Sequence, residues 1–320
     1  MKCDKLSDCN DPDVGCLLGS EDFHRCIYKK NDPEKAVKDN EPPINNRKEE
    51  TNFPWSGNTF GETDLKIITN QHSVKVIGLI GPSNSGKTTA LIALYLLLRS
   101  GKTINGYSFS GTYTLRGWEN LASFMTLKKD NKIGWPPHTS SNEGRVPGLL
   151  HLSLTDQRKI VHQIVFTDAP GEWFSNWALK ASDNSSQGAR WIDEYSKSFI
   201  LFADSDAFSN PQTLGNARST LSSIIERMKN TNNSRSLALV WSKADITVNG
   251  NVKTKLNEKI NQSFNNSKIF EVSVKPNGNI DLLTNILSVF EWVLKPNIEN
   301  IDKDINIKIK NPLDFFFIKR

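Results

Sequence analysis

The sequence predicts an α/β fold with a mostly parallel sheet built around a phosphate-binding loop, and three observations carry that prediction. Strand-like and helix-like runs alternate from about residue 63 to 295, the pattern that parallel strands with crossover helices leave in a chain. Residues Gly81 to Thr89 read Gly-Pro-Ser-Asn-Ser-Gly-Lys-Thr-Thr, a complete G-x-x-x-x-G-K-[ST] loop. That loop lies between an apolar run suited to a buried strand, Val74–Ile80, and an apolar run suited to a helix, Thr89–Leu98. At average residue frequencies, its four fixed positions recur by chance in a chain this long only about one time in a hundred.

Taken in order, residues 1–30 hold all four cysteines and form a small Cys-rich module. Residues 31–62, rich in Asn, Glu, Lys, Pro and Gly, read as a linker in which Phe53-Pro54-Trp55 is suited to docking on the main domain. After the first strand, further strands are expected at Gly148–Leu154, Lys159–Thr167, Ser198–Ala203, Ser236–Trp241 and Lys268–Val274. Helices are expected between them at Thr114–Lys129, Gln187–Ser196, Thr213–Lys229, Lys253–Phe264 and Ile280–Leu294. Residues 296–320 form a polar tail ending in Phe315-Phe316-Phe317-Ile318, aromatics better suited to packing on the domain than to anchoring a partner.

Composition excludes several classes. The longest apolar stretch, Ala90 to Leu98, is too short to span a bilayer. The first residues, Met1-Lys2-Cys3-Asp4-Lys5, lack the apolar region of a secretory signal, which predicts a cytoplasmic protein. The net charge of +5 comes from 40 Lys and Arg against 35 Asp and Glu and is spread thinly. Its densest part, Lys303 to Arg320, is interrupted by Asp304 and Asp314, so it reads as a solvated surface rather than a nucleic-acid or membrane footprint.

The loop works by geometry. Gly81 and Gly86 let the backbone wrap a phosphate, and amides at the helix start point inward with the helix dipole behind them. Gly81, Ser83, Asn84, Ser85, Gly86, Lys87, Thr88 and Thr89 are therefore expected to hold a nucleoside triphosphate, with Lys87 on the β- and γ-phosphates and the Thr88 hydroxyl on Mg²⁺. Three more motifs decide among the enzymes that use such loops. Ile164–Thr167 deliver Asp168 at the end of a strand, where a carboxylate joins the Mg²⁺ shell, and Gly171 follows at a spacing that lets its amide sense a γ-phosphate. Leu237–Trp241 lead into Ser242-Lys243-Ala244-Asp245. There Asp245 would accept two hydrogen bonds from guanine that adenine does not offer, while the Lys243 stem covers the base. Ser273-Val274-Lys275 forms a third, looser loop.

In this order the motifs resemble those of Ras-like GTPases across residues 74–294, with Ser242 in place of the usual Asn or Thr and Val274 in place of Ala. The resemblance implies GTP or GDP as ligand. It also implies a first-switch Thr that closes over Mg²⁺ and the γ-phosphate; Thr139, in Trp135-Pro136-Pro137-His138-Thr139, is the candidate, with Thr112 and Thr114 as competitors. The long gap between Lys87 and Asp168 departs from small Ras-like proteins and leaves room for a helical insertion at Thr114–Lys129. Several details are similar to a narrower group, the bacterial double-GTPase-type domains of conflict and phage-defence systems. These are the cysteine-bearing N-terminus, Gly111-Thr112-Tyr113-Thr114-Leu115, Pro136-Pro137-x-Thr139 followed by Leu150-His151-Leu152, Asp168-Ala169-Pro170-Gly171-Glu172 and the aromatic C-terminal end. That resemblance implies a regulatory GTPase acting with protein partners.

Hydrolysis needs positioning, Mg²⁺ and a group that orients the attacking water. Ras-like enzymes commonly carry Gln directly after the Asp-x-x-Gly; here Glu172 stands there, and its charge repels the γ-phosphate. Lys87, Thr139, Gly171 and Glu172 are thus the catalytic candidates, intrinsic turnover is expected to be slow, and an activating arginine from a partner fits. Within the chain, Arg116, Arg145, Arg158 and Arg190 stand unranked. An ATP-dependent enzyme and a non-hydrolysing GTP-binding scaffold stay open as alternatives. Cys3, Cys9, Cys16 and Cys26 suit a tetrahedral Zn²⁺ site, with His24 as a substitute ligand, yet they lack a C-x2-C pair. Free or redox-active thiols and an iron–sulfur site are the other readings.

Overall fold

A computed structural model describes residues 58–71, 73–104, 106–125, 134–136, 148–231, 235–275 and 279–295. The cysteines Cys3, Cys9, Cys16 and Cys26, His24, Phe53–Trp55, Arg145, the switch candidate Thr139 and the aromatic tail lie outside them. Seven strands form one sheet: β1 (Val74–Ile80), β2 (Tyr107–Gly111), β3 (Gly148–Asp156), β4 (Val161–Asp168), β5 (Ser198–Asp204), β6 (Ser236–Ser242) and β7 (Ser267–Glu271). Their order is β2-β3-β4-β1-β5-β6-β7. The β4-β1-β5-β6-β7 block is parallel, whereas β3 runs antiparallel to β4, and β2 to β3. The sheet is thus mostly parallel, as expected from the sequence.

The parallel strands read as unbroken apolar runs because both of their faces are covered. Along β1, Ile77 and Leu79 join one core while Val76 and Ile80 face the other side. The same alternation sends Ile200, Phe202, Ala238 and Val240 to the first core and Phe199, Leu201, Leu237, Leu239 and Trp241 to the second. The first core is closed by α2 (Lys87–Arg99), α3 (Leu115–Phe124) and α9 (Ile280–Leu294) through Leu91, Leu94, Trp118, Val289 and Phe290. The second is closed by α4 (Gly171–Leu179), α5 (Gln187–Tyr195), α7 (Pro211–Thr231) and α8 (Gly250–Ser263) through Phe174, Trp177, Ile192, Met228 and Ile260. A short α6 (Ser205–Ser209) continues directly from β5.

Four of these elements were not anticipated. The helix α1 (Glu62–Gln71) precedes β1 and buries Leu65 and Ile68 with Phe60, Val76, Leu149 and Val165. Phe60, at the end of the presumed linker, exchanges two backbone hydrogen bonds with Leu149 of β3. Edge strand β2 and helices α4 and α6 complete the set. Where Lys268–Val274 was expected to be strand, β7 ends at Glu271, and the expected Thr114–Lys129 helix is described only as Leu115–Phe124. No helix among the described residues is long and apolar enough to cross a membrane.

Candidate functional site

All the parallel strands deliver their carboxyl ends to one edge of the sheet, which is where open α/β sheets hold ligands. A cavity of about 660 Å³ opens there, within the usual range for small-molecule sites. It is lined by Ser83 to Ala90, by Gly171 and Glu172, by Ser242, Lys243 and Asp245, and by Val272 to Lys275. Four sequence segments separated by up to about two hundred residues thus meet around one space.

The phosphate loop joins β1 to α2. Gly86 caps α2 with φ of 90°, a left-handed conformation suited to glycine, and no side chain caps that helix end. Asn84 is also left-handed, at φ 61°. At Gly81 a Cβ would stand 2.6 Å from the Ser85 hydroxyl, which donates to Pro82 O at 2.7 Å. Lys87 is buried and its ammonium turns back on the loop, donating to Gly81 O at 2.9 Å and Pro82 O at 3.0 Å. Burial pulls its pKa down to about 8, against the raising pull of Asp168 and Glu172.

Thr88 Oγ1 donates to Asp168 Oδ1 at 2.7 Å. Asp168 is buried at the end of β4, and that burial raises its pKa despite the Thr88 hydrogen bond and the Lys87 charge. A desolvated carboxylate beside a hydroxyl is a pair of hard oxygen donors that an arriving divalent cation would relieve, so the two residues fit Mg²⁺ chemically. Among the described residues no group of three or more His, Cys, Asp or Glu could hold a metal by itself.

Across the cavity, Asp245 accepts from the Ser273 hydroxyl at 2.6 Å and pairs with the Lys275 ammonium at 3.1 Å. Partial burial alone would raise its pKa, but the Ser273 and Lys275 donors outweigh it and hold the carboxyl below its usual value. Lys243 adopts φ of 52° and places its ammonium 2.7 Å from Asp204 Oδ2, while Asp204 Oδ1 caps α6 at Asp206 N. Ala244 N donates to Val272 O, which ties the Ser242–Asp245 turn to the segment after β7.

Sequence reasoning missed Asp204, Asp206, Asn210 and Thr213, all on the cavity wall. Asp204 had the same signal as Asp168, a carboxylate ending an apolar strand, and Ser205-Asp206 repeats the acidic pattern. Trp135 and Pro136, within the segment read as the first switch, also line the cavity. Of the competing threonines, Thr112 and Thr114 hydrogen-bond the backbone of His151 instead and lie away from the cavity wall. None of the described arginines lines the cavity either: Arg158 pairs with Asp156, and Arg190 donates to Ala181 O and Asp183 O.

Residues 75–293 match the family model described as Double-GTPase 2. No sequence among the curated proteins matches the chain.

Proposed function

The chain belongs to the Double-GTPase 2 family, and on that footing we propose that it is a Mg²⁺-dependent, GTP-controlled switch with slow intrinsic hydrolysis. The observation that carries the reading is the convergence of phosphate-loop, Gly171–Glu172, Ser242–Asp245 and Ser273–Lys275 residues on one cavity, with Asp168 hydrogen-bonded to Thr88 of its lining. In this reading the loop amides and Lys87 hold the phosphates, and Ser273 orients the Asp245 carboxylate for the guanine edge. Thr88 and Asp168 would hold Mg²⁺, with Thr139 from the first switch completing the set. Bound there, the ion neutralises charge on the β- and γ-phosphates. Gly171 would report the γ-phosphate to α4, and Glu172 would keep turnover low. An arginine supplied by a protein partner would raise turnover by roughly 10³–10⁵-fold.

The same reading takes residues 63–295 as the GTPase domain, 1–30 as a zinc-binding module, 31–62 as a linker and 296–320 as a tail. A regulatory role in a bacterial defence system follows the double-GTPase resemblance. Base recognition is tested by competing GTP against ATP for the purified chain, with and without Asp245→Asn. GTP should win by at least about a hundredfold, because adenine offers no donors to the Asp245 carboxylate and covers it unpaired, and the variant should lose most of that margin. Equal affinities, or a preference untouched by the variant, would overturn the assignment.

A further inference from the structure

We propose that Glu172, held by Ser83, is the residue through which this chain discriminates between guanosine di- and triphosphate; the inference rests on the guanine-nucleotide reading above. Three observations lead to it. First, the Ser83 hydroxyl donates to Glu172 Oε1 at 2.8 Å, joining the first turn of α4 to the phosphate loop. Second, the backbones of the two segments touch beside that bond. A Cβ on Gly171 would stand 2.2 Å from Ser83 N and 2.4 Å from Ser83 Cα, so α4 starts seated on the loop. Third, the buried Lys87 ammonium lies in the field of both Asp168 and Glu172, and its protons go to loop carbonyls.

A third phosphate would approach Lys87 on the side of the loop where Glu172 stands, because that lysine reaches the β- and γ-phosphates in loops of this type. Like charges then compete for one cation. Glu172 is exposed and its bond to Ser83 is solvent-screened, so the carboxylate is the group that yields. Its departure breaks the Ser83 bond at the start of α4. The diphosphate lacks the group that forces this exchange and leaves that bond intact. Part of the binding energy of the third phosphate is therefore spent on displacing the carboxylate, which couples nucleotide state to the link between α4 and the loop.

Calorimetric titration of the full chain with Mg²⁺, using GDP and a GTP analogue with a nitrogen β–γ bridge, tests this. Wild-type protein should favour GDP. Glu172→Gln, which keeps a hydrogen-bonding side chain and removes the charge, should move the affinity ratio toward the analogue by about fivefold, and less at high salt. Ser83→Ala, which loosens the carboxylate without removing its charge, should move the ratio the same way by about twofold. Identical ratios in wild type and Glu172→Gln, or a shift toward GDP, overturn the proposal alone. Failure of wild-type protein to bind either nucleotide overturns the guanine-nucleotide reading and this proposal together.

Discussion

Thr88 and Asp168 stand eighty positions apart in sequence, yet a 2.7 Å hydrogen bond joins Thr88 on the cavity wall to the buried Asp168 behind it. Asp168 is the buried member, and a carboxylate left unpartnered at that depth would cost about 1–3 kcal/mol or more. Asp204 is likewise buried and rests on Lys243, whereas Asp245, more exposed, is held by Ser273 and Lys275. Gly171 is tightly constrained by contact, since its α-carbon faces the Ser83 backbone. Gly171→Ala should therefore lower the stability of the folded chain by about 1–3 kcal/mol, the range for overpacked positions. Urea unfolding read at its midpoint measures this, and an unchanged midpoint would mean that the contact is loose.

Single elements show where a local signal suffices and where it does not. The β3–β4 hairpin turns at Asp156, whose carboxylate accepts from Arg158 N at 2.8 Å and Ile160 N at 2.9 Å. His162 and Arg158 stand beside its other oxygen. The Ile160 backbone amide and His162, helped by the Arg158 amide and charge, pull the Asp156 pKa down to about 2 against the opposing effect of desolvation. A carboxyl depressed in the folded state adds stability above its ordinary value near 3.8, and that stability is lost as pH falls toward 2. Asp156→Asn should accordingly melt below the parent at pH 7, with the gap closing between about pH 4 and pH 2. Thermal melts across that range check it; a gap constant with pH would show that the amide substitutes poorly for reasons of shape alone. By contrast, α4 had no readable start: Asp-Ala-Pro-Gly reads as a turn, and the helix forms because Trp173, Phe174 and Trp177 find the second core. Edge strand β2 is similar, with Tyr107 to Phe109 held in register by β3 and a bulge before Gly111.

At the scale of the whole molecule, the sheet is the frame that both cores share. The cavity lies at its carboxyl edge between segments from each side, so a ligand there contacts residues preceding helices of both layers. Binding to the folded chain alone stabilises it by mass action, about 2.7 kcal/mol at a hundredfold excess over Kd. For a domain of this size that corresponds to a rise in Tm of about 5–10 °C. GDP with Mg²⁺ should produce this shift in one cooperative transition, EDTA should shrink it, and ATP at the same concentration should not match it. A rise of less than about 2 °C under saturating GDP would argue against a ligand seated between the two layers.

The sequence by itself determined the phosphate loop, the strands that precede it and its partner motifs, and the sheet's mostly parallel character. Those features rest on local chemistry: glycine conformations, a fixed order of side chains, and apolar runs that must be covered on both faces. Tertiary structure decided which carboxylates pair with which cations, the positions of α1, α4 and β2, and the seating of Gly171 and Glu172 on Ser83. Such facts depend on distances between segments far apart in the chain, set by the sheet order β2-β3-β4-β1-β5-β6-β7. A residue's neighbours along the sequence carry no record of them.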